Sequence, residues 1–92
     1  MSDRVARIEA QLRTALIPDF LDIVDDSAAH AGHAGAREGG HFTVRIVSPT
    51  FAGKTLIQRH RLVHAAVADL MHRDIHALSI KAQTPDEAYS ST

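Results

Sequence analysis

Residues 42–80 read FTVRIVSPTFAGKTLIQRHRLVHAAVADLMHRDIHALSI, and the changing hydrophobic period of this stretch decides the fold. Phe42, Val44 and Ile46 alternate with Thr43 and Arg45, the period-two pattern of a half-buried strand. Residues 48–54 are turn-rich. Over 56–71 the period becomes helical. Leu62, Val63, Ala66, Val67, Leu70 and Met71 form a double apolar stripe, with Gln58, Arg59, Arg61 and Asp69 mostly off it. Residues 75–82 return to a strand pattern that places His76 on the parity of Leu78 and Ile80. Strand, helix, strand in that order predicts a helical crossover, right-handed, that sets the two strands parallel.

Outward from this unit, residues 2–17 predict an amphipathic helix. Ser2 is the expected N-cap, Val5, Ile8, Leu12, Ala15 and Leu16 form one stripe, and Pro18 closes the segment. Residues 20–26 predict a strand that pairs antiparallel with the one at 42–46. Between them, residues 28–40 consist of Ala, Gly, His and two charges, which have little to pack and read as a mobile loop. Thr84-Pro85-Asp86-Glu87 reads as an N-cap with proline at the first helical position, opening a short last helix whose end, residues 89–92, is expected to fray. The expectation is a single α/β (α+β) domain over residues 1–92. Its order is α-β-β-α-β-α, with a three-stranded mixed sheet packed on helices.

Seven histidines and no cysteine bound the chemistry. Any metal must be held by imidazole and carboxylate, or shared with a partner that brings sulfur. A net charge of −1 excludes a generally basic nucleic-acid coat, so a basic surface must be local. The first residues lack the apolar run of a signal peptide, and no segment reaches the ~18 apolar residues of a membrane span. A cytoplasmic protein with no membrane attachment is expected.

Several motifs weaken on inspection. Gly53-Lys54-Thr55 ends like a phosphate-binding loop, but that motif needs glycine at position 48, which is Ser48. Gly32-His33-Ala34-Gly35 has the spacing of a GxxG nucleic-acid clamp, yet it lies between two strands rather than two helices. His60 and His64 are spaced i, i+4, without the glutamate after His60 that a zincin requires. His41 and His72 sit at element edges and receive no role. Lys54, Arg59, His60 and Arg61 gather at the start of the main helix, where the helix dipole also favours an anion. His30 and His33 fall in the loop and His76 begins the third strand. Spacing alone does not join them into one site, and no nucleophile–base pair is evident.

Phe51-Ala52-Gly53-Lys54-Thr55-Leu56-Ile57-Gln58-Arg59-His60-Arg61-Leu62-Val63, followed by Ile75-His76-Ala77-Leu78-Ser79-Ile80, resembles the signature of the BolA family. Asp25-Asp26-Ser27 before the loop, His41-Phe42 opening the second strand, and Thr84-Pro85 agree with it. The resemblance covers residues 3–88 and implies a class II KH-like fold without a usable GxxG clamp. It also implies a non-enzymatic role beside a monothiol glutaredoxin, the pair holding a bridging 2Fe–2S cluster for iron–sulfur trafficking or iron sensing. The family's cluster histidine maps to His76, and a second ligand from the loop maps to His30, with His33 the alternative. Thiolates would come from glutaredoxin and glutathione, so no cluster is expected on the isolated protein. Gly53, Lys54, Arg59, His60 and Arg61 would face a partner or shape the site, with His60 structural or at the interface rather than a ligand. The rival reading is a transcriptional regulator that binds DNA weakly through that same basic cluster. A homodimer is compatible with the sequence.

Overall fold

The computed structural model describes residues 3–26, 40–71 and 73–89. The N-cap expected at Ser2, the loop histidines His30 and His33, His72 and the last three residues lie outside the described residues. Helix α1 is Asp3–Leu16, strand β1 is Phe20–Asp25 and strand β2 is Gly40–Val47. Helix α2 is Leu56–Ala66, strand β3 is Ile75–Gln83 and helix α3 is Pro85–Tyr89. The sheet order is β1-β2-β3, with β1/β2 antiparallel and β2/β3 parallel, as the hydrophobic periods predict.

One core joins these elements. Ile8, Leu12 and Leu16 of α1 meet Phe42, Val44 and Ile46 of β2, and Val63 of α2 closes over them together with Phe51. α2 is shorter than the 56–71 predicted. Val67 leaves the helical basin at φ −113° and ψ 22°, and Ala68–Leu70 tightens into a 3-10 turn. That turn buries both Val67 and Leu70, so the apolar stripe is kept while the α-helical hydrogen bonding is not.

The end of α1 explains two sequence features. Ser48 is buried and its hydroxyl donates to the Leu16 carbonyl at 2.7 Å, joined by the Thr50 hydroxyl at 3.2 Å. The serine that spoils the phosphate-loop pattern therefore satisfies one of the helix's open carbonyls. Ile17 follows at φ +44° and donates its N–H to the Arg13 carbonyl at 3.1 Å, the left-handed cap that helices usually assign to glycine. A β-branched residue is strained there, and Ile17 is 75% exposed, so its side chain gains little in return. Ile17→Gly is expected to stabilise the fold by about 0.5–1 kcal/mol, read as a higher urea midpoint; a lower midpoint would show that the side chain contributes more than the strain costs.

Candidate functional site

His76 stands at an irregularity in the sheet. Gly40 pairs with Ile75, but the next pair is His41 with Ala77, so β3 advances two residues while β2 advances one. His76 is the extra residue, the position a β-bulge re-aims. Ile75 is buried and Leu78 and Ile80 pack against the core, whereas His76 is exposed. The parity that grouped His76 with Leu78 and Ile80 thus fails at the bulge, and the imidazole leaves the core side.

It meets a residue to which the sequence assigned nothing. The His41 and His76 ring centroids lie 5.1 Å apart, tilted by 47°. The signal was present in the topology: both histidines open strands that pair in parallel, which puts their starts side by side. Backbone bonds fix this end of the sheet. Asp26 donates its N–H to the His41 carbonyl at 2.7 Å, Thr43 Oγ1 donates to the Asp26 carboxylate at 2.6 Å, and Gly40 donates its N–H to the Asp74 carbonyl at 3.0 Å.

The Asp74 side chain ties the same end to α1. Its Oδ1 accepts from Arg7 at 2.7 Å and lies 3.7 Å from Arg4 Nε. The Arg7 hydrogen bond holds the Asp74 carboxyl below its ordinary range against the opposing effect of burial, with further help from the Arg7, Arg4 and Arg73 charges.

The predicted basic cluster forms a separate place. Gly53 is exposed with φ +74°, a backbone conformation that explains glycine there. Lys54, His60 and Arg61 are exposed. Arg59 is only 7% exposed and its donors are engaged within the chain, as a residue that shapes the cluster rather than one presented on its surface. Nε donates to the Lys54 carbonyl at 2.9 Å, Nη1 to the Ala82 carbonyl at 3.2 Å and to Glu87 Oε1 at 2.5 Å, and Nη2 to Glu87 Oε2 at 3.0 Å. The helix start is also partly occupied: Thr55 Oγ1 accepts from the Gln58 N–H at 3.2 Å, and Gln58 Oε1 accepts from the Thr55 N–H at 2.8 Å. His60 borders a cleft of about 530 Å³ between α2 and the end of β3. Arg59 bonds to Ala82, six residues beyond His76, so the basic cluster and the histidine pair are about 20 Å apart along the strand.

Among the described residues, no group of three or more histidine and carboxylate donors converges. No helix there is long and apolar enough to cross a membrane. What remains is a pair of adjacent imidazoles at a sheet end fixed by backbone hydrogen bonds.

Comparison with known proteins gives a consistent picture. Residues 12–87 match the BolA-like protein family. The chain is 44% identical over 80 residues to BolA-like protein 1 of Mus musculus, covering 87% of this chain and 57% of the mouse protein. It is 38% identical over 81 residues to the DNA-binding transcriptional regulator BolA of Escherichia coli (strain K12), covering 88% and 75%. The solved structure of the BolA domain of SufE1 from Arabidopsis thaliana superposes with a TM-score of 0.84 at 45% identity, covering 95% and 98%. The plant relative named SufE-like protein 1, chloroplastic/mitochondrial is 42% identical over 93 residues, 95% of this chain but 25% of that protein. The chain thus spans from a quarter to three quarters of the length of these curated relatives.

Proposed function

The chain belongs to the BolA-like protein family, and from that premise we propose that it is a non-enzymatic adaptor that docks a monothiol glutaredoxin and co-ligates a bridging 2Fe–2S cluster through His76. The observation that supports this reading most is the bulge, which takes a histidine from a core position and exposes it beside a second imidazole. Imidazole can replace thiolate on one iron of such a cluster and raises its potential, and this chain has no thiolate to offer. The second ligand of this reading is His30, with His33 the alternative. In sequence both lie between Asp25, where β1 ends, and Gly40, where β2 begins, and these two residues stand at the end of the sheet that holds His76. When bound, the cluster would supply one-electron chemistry or iron and sulfide for transfer. The chain's own part is to present imidazole donors from a strand end held by backbone hydrogen bonds. The cytoplasm is the compartment proposed, although one relative carries a chloroplastic/mitochondrial name.

The test is anaerobic reconstitution of iron and sulfide with a monothiol glutaredoxin and glutathione, with and without this protein, followed by visible circular dichroism. A spectrum found only in the mixture is expected. A spectrum identical to that of glutaredoxin alone removes the cluster role.

The Escherichia coli relative named as a DNA-binding regulator supports a second reading, in which exposed Lys54 and Arg61 contact phosphate. With Arg59 engaged by Glu87, few cations remain for that contact. DNA affinity should therefore be weak and fall by only about two powers of the salt concentration. Gel-shift titrations at two salt concentrations check this, and Lys54→Gln with Arg61→Gln should remove what binding there is, whereas His76→Gln should leave it intact.

A further inference from the structure

We propose that His41 and His76 form a two-imidazole site that binds a borderline divalent cation, zinc foremost, on the chain without any partner. The site shares His76 with the cluster reading but does not rest on it.

Geometry carries the proposal. Zinc binds an imidazole nitrogen at about 2.0–2.1 Å, and the ring centroid lies about 1.1 Å behind that nitrogen, so two rings on one tetrahedral cation have centroids about 5 Å apart. The His41 and His76 centroids are 5.1 Å apart, and their 47° tilt is not that of flat stacking. Both rings project from paired strands rather than from a loop. The backbone that carries them is held by the Asp26-to-His41 and Gly40-to-Asp74 hydrogen bonds, so the spacing is present before any cation arrives. His76 is exposed and His41 half-buried, so His76 offers the accessible side of the pair.

The donor set selects the cation. Two imidazole nitrogens suit zinc, copper or nickel and are poor partners for magnesium or calcium. With no third donor converging among the described residues, the cation keeps two positions for water or for a partner's ligand. A cation held there occupies the imidazole that the cluster would need. Zinc and the shared cluster are therefore mutually exclusive occupants of His76.

The experiment is a zinc titration of the untagged chain carrying His60→Gln and His64→Gln, which silences the exposed histidine pair on α2. Calorimetry gives the stoichiometry, and NMR follows the imidazole signals. One zinc per chain is expected, with the His41 and His76 signals shifting together. Binding should be lost in His41→Gln and again in His76→Gln, and should persist in His30→Gln/His33→Gln. Thermal melts of each variant confirm the fold, and His76→Gln, at an exposed position, decides the matter if His41→Gln melts early. Undiminished binding in His76→Gln or in a folded His41→Gln, or loss in the His30/His33 double variant, overturns the two-imidazole site. The titration contains no glutaredoxin, iron or sulfide, so its failure leaves the cluster reading standing, and failure of the reconstitution leaves this one standing.

Discussion

Replacing Arg59 with alanine is expected to lower the folding free energy by about 2–3 kcal/mol, a fall of roughly 10–20 °C in melting temperature for a domain of this size. The guanidinium links four pieces of the molecule: the turn at Lys54, helix α2, the end of β3 at Ala82 and helix α3 through Glu87. Truncation leaves the Ala82 carbonyl without that donor and removes the charge that faces Glu87. Glu87 also caps α3, its carboxylate accepting from the Thr84 N–H at 2.9 Å while Thr84 Oγ1 accepts from the Glu87 N–H at 3.2 Å. α3 has five residues and no buried side chain, so little else holds it in place. Arg59→Lys separates structure from charge. Lysine keeps the cation but cannot reproduce a planar fork bonded to two oxygens, so it should recover little of the loss. A lysine variant as stable as the original would show that position 59 needs only positive charge. Chemical denaturation of the three proteins measures the difference.

The same pair gives the acid limb of stability. Hydrogen bonding from Arg59, and then from the Thr84 N–H, lowers the Glu87 carboxyl from 4.5 to about 2. A depressed carboxyl contributes stability that is complete above its unfolded value and is lost as pH falls through its folded one. The Glu87 contribution is therefore full above pH 4.5 and fades toward pH 2. Asp74, lowered from 3.8 chiefly by Arg7, fades in the same direction. Denaturation midpoints taken between pH 5 and 2 should fall less steeply in Arg59→Ala than in the unsubstituted chain. Equal slopes would show that the Glu87 carboxyl is not coupled to Arg59.

How much of this was readable beforehand depends on the kind of signal. Strand and helix order followed from the hydrophobic periods, since one face of each element had to meet a single core. The burial of Arg59 has no local signal, because it lies among Lys54, His60 and Arg61, and a run of polar residues at a helix start reads as solvated. Its partner, Glu87, is 28 positions away, and nothing local announces the pair. The early end of α2 escaped for a similar reason: a 3-10 turn buries Val67 and Leu70 as an α-helix would, so the pattern looks the same. Spacing along the chain gives His41 no partner. The parallel pairing that the sequence does predict already brings the starts of β2 and β3 together, and two histidines at those starts are a pair once the register is drawn. The bulge has no comparable signature, since inserting one residue on β3 leaves a strand pattern that reads as continuous.

Replacing His76 with alanine is expected to abolish the spectrum specific to the mixture with glutaredoxin, while His76→Cys retains a cluster. The two outcomes follow from different parts of the site. Position 76 is exposed and unpaired with any β2 residue, so truncation removes little packing and stability should change by less than about 0.5 kcal/mol. Loss of the spectrum without loss of fold then points to a missing donor. Cysteine at the bulge is aimed as the histidine was and offers thiolate, which irons of this cluster type accept. Exchange of imidazole for thiolate should move the reduction potential to more negative values, the reverse of the change that histidine ligation produces. A purely structural histidine predicts the opposite combination: a destabilised alanine variant, and a cysteine variant whose potential is no different from that of glutaredoxin alone. Potentiometry of the cysteine variant against the unsubstituted mixture is therefore the decisive reading, because the negative shift expected for thiolate in place of imidazole follows from ligation by side chain 76, whereas a change in yield alone follows equally from weaker docking.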